Sequence, residues 1–331
     1  MKNNKEVKNT FKAKQSMIQR KILALLLAIL FVGCNESSMK SDNSDNTKRS
    51  LPASTEFDVV ILTGRVMDPE TEFDAIRNVG IKDGRIAIIT EEDIQGKETI
   101  DASNHVVAPG FIDNHWHWPR PMGYKLGLRD GITTAMDLEW GCYGPNVGKW
   151  YAMHEGKSQV NYGTGSSHEA ARGAVLDDIE NADEILLDAP LAIPVRSGPN
   201  WAYGVLDEET GNEMLQVIDE GLKQGGLCVS ATLGYWPGAT AREVLEVHKL
   251  AARWERYYSI HSRYTPSGAT KEANGAQEMF ANASALNASV SMNHFNNPGW
   301  EVVQELLVRL RKQGLNVWGE VYPYAAGSTS L

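Results

Sequence analysis

The sequence predicts an α/β fold in which a TIM-barrel-like (β/α) barrel, incomplete at about seven strands, follows a small N-terminal β-sandwich segment. Two patterns indicate this fold. Short alternating strands separated by turn residues run through 57–107 and indicate an all-β segment. Through 108–331, apolar strands alternate with helical stretches, as is typical of βαβ units around a parallel sheet. Hydrophobic residues make up 42% of the chain and can supply a core of this size.

The barrel elements follow from these apolar runs. Strands are predicted at 106–114, 131–139, 159–167, 226–233, 257–263, 287–294 and 315–322. Helices are predicted at 209–223, 240–255, 270–284 and 298–312, and glycines end two of them, at Gly225-Gly226 and at Gly314. The loops at the carboxyl ends of barrel strands carry the chemistry in this architecture. Residues at these strand ends are therefore the candidates for a site.

The first 34 residues have the pattern of a targeting segment. Basic residues precede the apolar run 22–32, which is too short for an ordinary spanning helix and indicates a signal peptide. Gly33-Cys34 is similar to a bacterial lipobox, although Phe31 stands where leucine is more usual. We expect a lipid on Cys34 that anchors the protein to the bacterial cell envelope, at the periplasmic or outer surface. The alternative for this segment is an uncleaved membrane anchor. Residues 35–56 are rich in Ser, Asn and Lys and are predicted to form a flexible tether.

Charge and cysteine content restrict the partners. The net charge is -10 and no sustained basic patch occurs, which argues against nucleic acid and favours a small-molecule partner. Besides Cys34, the chain has Cys142 and Cys228. We predict that these two are separately buried thiols rather than a disulfide.

A His-x-His pair, His115 and His117, stands at the end of the first apolar barrel strand. Side chains two residues apart on a strand share a face, so both imidazoles can converge on one metal ion. The pair therefore predicts a hydrolytic metal site, with a polar surface as the alternative. Three other histidines are predicted to be solvated, since they lie in a turn, in a polar segment and on a helix: His105, His154 and His248.

Several motifs occur in an order that resembles one known family. They are Asp58–Ile61, Gly64–Glu70, Asn78–Ile86, Ile100–Ala102, Val107–His117, Gly131–Thr134, Tyr235–Gly238, His261–Arg263, Asn293–Phe295 and Tyr322–Thr329. Together they resemble the N-acyl-D-amino-acid deacylase (D-aminoacylase-like) branch of the amidohydrolase superfamily, from about Phe57 to Leu331. This resemblance implies a metal-dependent hydrolase barrel.

The resemblance also implies a ligand set for one or two zinc ions. It places metal ligands at four histidines that end strands: His115, His117, His261 and His294. Many amidohydrolases add a carboxylated lysine on strand four, but residues 225–233 contain no lysine. The cysteine that this branch carries after strand two falls at about Trp140.

Glu139 is our first choice for the anionic ligand of this site, and Cys142 is the runner-up. Asp137 shares a strand face with Glu139 and could also reach inward. A solvated acidic strand end is the alternative to both.

Three further residues are candidates for contact with a substrate. His168 ends the third strand, where related enzymes carry a histidine, and its role is either to contact the substrate or to support the structure. Arg263 and Tyr324 are candidates for binding the substrate carboxylate or an oxyanion, with packing at the barrel rim as the alternative.

In the resembling enzymes an aspartate after strand eight is the general base. The sequence ends at Leu331 before such a strand, so we expect a truncated gene or sequence record of a longer enzyme and little activity of this chain alone.

The function that these residues predict is hydrolysis of a non-peptide C–N bond. The leading hypothesis is deacylation of N-acyl-D-amino acids by a zinc-activated water. Two alternatives stay open at this point. One is a cyclic amidase related to hydantoinases and dihydroorotases, and the other is a non-catalytic, surface-tethered binding lipoprotein that lacks the general base.

Overall fold

The computed structural model describes residues 56–188, 193–263, 274–296 and 299–323. The predicted signal peptide, Cys34 and the tether up to residue 55 lie outside the described residues. The chain divides into two compact units, 1–107 and 108–331. Among the described helices, none is long and apolar enough to cross a membrane.

The described part of the first unit is one mixed sheet of five strands. These are β1 (Phe57–Asp68), β2 (Phe73–Lys82), β3 (Arg85–Thr90), β4 (Gly96–Asp101) and β5 (Val106–Val107). The order is β3-β2-β1-β4, and β5 also pairs with β1. A two-residue turn, Asp83-Gly84, joins β2 to β3 with φ values of 51° and 70°. This left-handed pair of residues matches the twist of a tight hairpin, as the turn sequence predicts.

The second unit is a parallel sheet of seven strands whose order along the sheet is their order in the chain. They are β6 (Phe111–Asp113), β7 (Ile132–Cys142), β8 (Asn161–Ser167), β9 (Cys228–Ala231), β10 (Tyr257–Ile260), β11 (Val290–Met292) and β12 (Val317–Gly319). Every neighbouring pair is parallel. The predicted α/β fold with about seven barrel strands is confirmed.

The boundary of the first barrel strand was predicted wrongly. The apolar run 106–114 is divided: β5 pairs with β1 in the first sheet, whereas β6 begins the second sheet at Phe111. Pro109 has no backbone N–H for a sheet ladder and lies between the two strands. Two short strands in different sheets therefore replace the single strand that the apolar pattern indicates.

Eight helices lie in the described part of the second unit. They are α1 (Pro121–Arg129), α2 (Val147–His154), α3 (His168–Leu176), α4 (Ala182–Ile185), α5 (Glu208–Lys223), α6 (Ala241–Arg253), α7 (Asn274–Leu286) and α8 (Trp300–Lys312). The last four confirm the predicted helices to within four residues at each end. The first four were not predicted, since they are short and α1, α2 and α3 contain glycine, which weakens the helical pattern.

The main hydrophobic core lies between the later strands and their helices. Its members include Val229, Ile260 and Val317 from the sheet and Ile218 and Leu250 from the helices, all of them buried. Burying one such side chain contributes about 1.5–3 kcal/mol. This core fixes the strands from whose carboxyl ends the candidate site is built.

Candidate metal centre

The predicted metal ligands come together at one end of the parallel sheet. His115 and His117 follow β6, His261 follows β10 and His294 follows β11. Glu139 lies in the last part of β7. Carboxyl ends of parallel strands meet at one edge, and the structure brings all five side chains into contact there. We call these five residues the Glu139 cluster.

An irregular strand end carries Glu139 into the cluster. The pairing of β7 with β8 is regular up to Asp137, and then shifts so that Cys142 faces Ser166. The extra residues form a bulge, and Gly141 in it has φ 79°. The Oδ1 atom of Asp137 accepts hydrogen bonds from the backbone N–H groups of residues 140 and 141, at 3.2 Å each. A bulge commonly redirects a side chain next to a site, and this one places Glu139 among the histidines.

Each carboxylate oxygen of Glu139 contacts two imidazoles. Oε2 lies 2.8 Å from Nε2 of His115 and 2.9 Å from Nε2 of His117. Oε1 lies 2.9 Å from Nδ1 of His261 and 2.9 Å from Nε2 of His294. The cluster is therefore two imidazole pairs that share one carboxylate. A carboxylate in this position can belong to one metal ion or bridge two.

A second carboxylate stands behind each member of the His-x-His pair. Nδ1 of His115 donates a hydrogen bond to Oε1 of Glu320, which follows β12. Nδ1 of His117 lies 3.2 Å from Oδ1 of Asp137. Metal-binding histidines usually present their other ring nitrogen to such a carboxylate, which fixes the orientation of the ring. Both rings thus direct Nε2 toward Glu139.

Tight local packing holds the other imidazole pair. A Cβ atom on Gly234 would lie 2.8 Å from Cδ2 and 2.9 Å from Nε2 of His261, so only glycine leaves room for that ring. His294 has φ 33°, in the left-handed region that is unfavourable for a residue with a side chain. Strained backbone of this kind concentrates at functional sites. The backbone N–H of His294 donates to Oε1 of Glu320 at 3.3 Å.

The electrostatics of the cluster favour a cation. Burial would raise the pKa of Glu139, but hydrogen bonds from four imidazoles hold it well below its usual value. Burial would lower the pKa of His115, but hydrogen bonds to Glu139 and Glu320 raise it well above the ordinary value. The pKa of His117 rises to about 9, because attraction to Asp137 outweighs burial. The raised pKa values of His115 and His117 come from the carboxylates around them, whose negative charge also attracts a divalent ion.

The residues present fit a metal ion. Four imidazoles and one carboxylate are the nitrogen and oxygen donors that zinc prefers. One donor atom each from His115, Glu139 and His294 lies within 4.8 Å of the other two. In the described part of the chain, Oδ2 of Asp137 is buried without a hydrogen-bond partner. A nearby cation would offset the cost of burying this carboxylate oxygen.

His168 lies in a different, fully buried network. Its Nδ1 contacts the hydroxyl of Tyr258 at 2.6 Å and its Nε2 contacts Oε1 of Glu243 at 3.0 Å. Arg172 completes the network through Nη1 and Oε2 of Glu243. Both ring nitrogens are occupied and the side chain has no exposed surface. This placement favours the structural alternative for His168.

Arg263 is also held by the protein itself. Its Nε donates to Oε2 of Glu278 at 2.8 Å, its Nη2 pairs with Oε1 of the same carboxylate, and its Nη1 donates to the carbonyl of Ala239. Tyr324, the other predicted substrate contact, lies outside the described residues. The described structure thus favours rim packing for Arg263.

Cys142 does not join the Glu139 cluster. It packs with Val147 and Trp150 in a small core cluster, and its thiol points to the carbonyl of Tyr143. Burial raises the pKa of this thiol well above its usual value, so it stays protonated. Cys142 and Cys228 are both free thiols. Of the two anionic candidates, the structure brings only Glu139 to the histidines.

Two of the histidines predicted to be solvated are buried, and that prediction was wrong. His154 contacts the carbonyl oxygens of Trp150 and Pro119 through its two ring nitrogens. His248 has no exposed surface and its Nε2 lies 3.2 Å from the carbonyl oxygen of Ser289. Local polarity of the sequence does not reveal that both rings face the interior.

Three residues around the cluster carried no separate prediction. Glu320 contacts His115, as described above. The ring of Tyr322 stacks nearly parallel to His294, with centroids 5.7 Å apart. Tyr235 packs on His261 at 4.7 Å between centroids. The two tyrosines belong to motifs that carry the family resemblance, which is the signal that could have pointed to them.

Comparisons with known proteins agree with this architecture. The chain is 26% identical over 297 residues to D-aminoacylase of Alcaligenes xylosoxydans xylosoxydans, covering 83% of this chain and 59% of that protein. It is 27% identical over 287 residues to D-hydantoinase of Streptomyces coelicolor, covering 80% and 57%. The crystal structure of N-acyl-D-glutamate deacylase from Bordetella bronchiseptica, complexed with zinc and a phosphonate inhibitor, matches with a TM-score of 0.62. That match has 21% identity and covers 82% of this chain and 59% of the other.

The predicted resemblance to the D-aminoacylase-like branch of the amidohydrolase superfamily is confirmed by these matches. The chain spans between one half and two thirds of the length of these relatives, at 59% of the D-aminoacylase and 57% of the D-hydantoinase. No family model matches the chain.

Proposed function

We propose that this chain is a metal-dependent amidohydrolase that removes the acyl group from N-acyl-D-amino acids. The observation that carries this proposal is the carboxylate of Glu139 between two pairs of strand-end imidazoles. The similarity to D-aminoacylase supports the choice of substrate.

The Glu139 cluster would hold one or two zinc ions. Bound there, zinc supplies a Lewis acid for the amide carbonyl and lowers the pKa of a water molecule. The protein's own contribution is to hold the imidazoles in place. Glu320 and Asp137 direct Nε2 of His115 and His117 toward Glu139, so little reorganisation is needed when the site is loaded.

Tyr322 is suited to bind the carbonyl oxygen of the substrate. Its ring lies against His294 and within 6.1 Å of the ring of His115, measured between centroids. Burial raises the pKa of Tyr322, which keeps its hydroxyl protonated. We assign this O–H as a donor to the oxygen on which negative charge develops during attack on the amide.

A cyclic amidase is the second candidate function. The match to D-hydantoinase over 287 residues favours it, at an identity similar to that of the D-aminoacylase match. Both reactions cleave an amide C–N bond by attack of water on the carbonyl carbon. They differ in whether the cleaved bond belongs to a ring or to an open acyl chain.

The test is hydrolysis by the zinc-loaded full chain. Release of free amine is measured for N-acetyl-D-amino acids and their L enantiomers, and ring opening to the N-carbamoyl acid is measured for a hydantoin. We expect hydrolysis of the D compounds at the low rate predicted for this chain alone, and a further loss of about 100-fold or more in Glu139→Gln, because the variant lacks the anionic ligand. His105→Asn is the matched control, since His105 is exposed and lies in the first unit.

The other outcomes separate the alternatives. Hydrolysis of the hydantoin alone would establish the cyclic amidase. Bound zinc with no turnover of any substrate would favour a surface-tethered binding protein. Equal turnover by wild type and Glu139→Gln would show that the Glu139 cluster is not the active site.

A further inference from the structure

One arginine beside the Glu139 cluster has a guanidinium nitrogen with no acceptor among the described residues. In the described part of the second unit, four arginine side chains are buried or half-buried: Arg120, Arg172, Arg196 and Arg263. Arg120 uses both of its terminal nitrogens on Asp188. Arg172 and Arg263 use Nε and both terminal nitrogens on protein acceptors. For Nη1 of Arg196, the described residues provide no acceptor.

Arg196 is nevertheless rigidly held. Its Nε donates to Oε1 of Glu169 at 2.7 Å and its Nη2 donates to Oε2 at 3.2 Å. Glu169 is itself fully buried and accepts a hydrogen bond from the hydroxyl of Thr232. The Arg196 side chain remains 23% exposed. Glu169 thus fixes Nε and Nη2 of the guanidinium, while Nη1 has no acceptor in the part of the chain that the structure describes.

Aromatic rings position this guanidinium toward the cluster. Its Cζ lies 4.6 Å from the ring centroid of Tyr235 and 5.8 Å from that of Trp201. Tyr235 also packs on His261, with centroids 4.7 Å apart. Arg196 and a proposed metal ligand therefore contact the same tyrosine ring. Stacking on an aromatic face orients a guanidinium plane without using its N–H donors.

We propose that Arg196 forms the subsite for the carboxylate of an N-acyl amino acid, and so selects acid substrates over neutral amides. This inference rests on the proposed function. In an N-acyl amino acid only the nitrogen and the α-carbon lie between the acyl carbon and the carboxylate, so a cation close to the metal centre is required. Arg196 has this placement and, within the described ranges, an Nη1 without an acceptor, whereas Arg263 is fully engaged.

The experiment compares binding of an N-acetyl-D-amino acid with its carboxamide, by calorimetry on the zinc-loaded full chain. Arg196→Met alone would leave Glu169 buried and unpaired, which could prevent folding. The informative pair of variants is therefore Glu169→Gln and the double variant Glu169→Gln with Arg196→Met. Arg242→Gln is the matched control, since Arg242 is exposed and pairs only with Glu246 on its own helix, within the described residues.

We expect wild type to bind the acid about 10–100-fold more tightly than the carboxamide, as a charge-assisted contact provides. Glu169→Gln should keep or increase this ratio, because Arg196 is no longer neutralised. The double variant should lower the ratio at least about tenfold relative to Glu169→Gln. Any attraction between bound zinc and the carboxylate of the ligand is the same in both variants, so it does not affect their comparison.

An unchanged ratio in the double variant, or no preference for the acid in wild type, would overturn the subsite. The measurement needs no turnover, so its result is independent of the proposed reaction. A preference that depends on Arg196 in a protein without hydrolysis would keep the subsite and refute the deacylase. Hydrolysis by a protein whose preference for the acid does not depend on Arg196 would keep the deacylase and refute the subsite.

Discussion

The carboxylate of Glu320 accepts a hydrogen bond from Nδ1 of His115, a residue 205 positions earlier in the chain. This bond keeps a proton on Nδ1 and turns Nε2 toward Oε2 of Glu139, at 2.8 Å. The last strand of the sheet thereby orients a proposed ligand from the first strand. Such outer carboxylates contribute to metal affinity although they do not touch the ion.

Glu320→Gln should weaken zinc binding about 10–100-fold, because the neutral amide is a poorer acceptor for the Nδ1–H of His115. Competition with a chelator measures the affinity. Glu301→Gln, an exposed change at the start of α8, is the control and should leave affinity unaltered. Wild-type affinity in Glu320→Gln would show that the hydrogen bond to His115 has no bearing on the metal.

Gly234→Ala should disturb the centre without removing a donor atom. The added Cβ would lie 2.8 Å from the His261 ring, which must move away from Oε1 of Glu139. We expect lower zinc affinity with little change in unfolding temperature. Gly211→Ala is the control, since nothing lies within 4 Å of its Cβ position on α5. If Gly234→Ala and Gly211→Ala bind zinc equally well, His261 is not a ligand.

His248 should make the folded state sensitive to acid. Burial lowers the pKa of His248 to about 4, whereas in the unfolded chain it has the ordinary value of about 6.5. Below pH 6.5 the unfolded chain therefore binds a proton that the folded chain refuses, and stability falls until about pH 4. Between pH 7 and pH 5 this residue should remove about 2 kcal/mol of unfolding free energy.

Urea unfolding at the two pH values measures this loss. His248→Gln retains a donor for the carbonyl of Ser289 and should abolish that part of the pH dependence. His105→Asn, at an exposed position, is the control and should show the same loss of stability between pH 7 and pH 5 as wild type. An identical decline in wild type and His248→Gln would show that other groups cause the acid sensitivity.

The expected lipid anchor has a direct test in Cys34→Ser. If the cysteine is lipidated after cleavage, the substitution should abolish incorporation of labelled fatty acid and release the protein from the membrane fraction. Cys228→Ser is the control, since Cys228 is buried in the second unit. Labelling that persists in Cys34→Ser would refute the lipobox.

Patterns that are local in sequence predicted most of the fold. Apolar strands alternating with helices indicated the seven-stranded sheet, and β7 to β12 lie within about three residues of the predicted strands. The His-x-His spacing identified His115 and His117 because strand geometry alone places them together. Glu139 followed from its place at a strand end, although the bulge that turns it inward is not visible in the sequence.

Roles that depend on distant partners were not predicted. Arg263 lies two residues after the proposed ligand His261, yet Glu278 on another element holds its guanidinium. Arg196 lies in a short 3-10 helix, Ile193–Ser197, without a motif, and only tertiary packing brings it next to Tyr235. Burial of His248 is likewise decided by the strands that its helix covers. Sequence neighbours of a site are thus poor guides to which charged groups face the substrate.

The central claim is that Glu139 and its four imidazoles form a metal centre. The most direct measurement is the zinc content of the full chain after equilibrium dialysis, in wild type and in a variant with Glu139→Gln and His294→Ala. We predict about one or two ions per chain in wild type and none in the variant, which loses two of the three donors that lie within 4.8 Å of one another. Equal zinc content in the two proteins, with the variant folded by circular dichroism, would contradict the account.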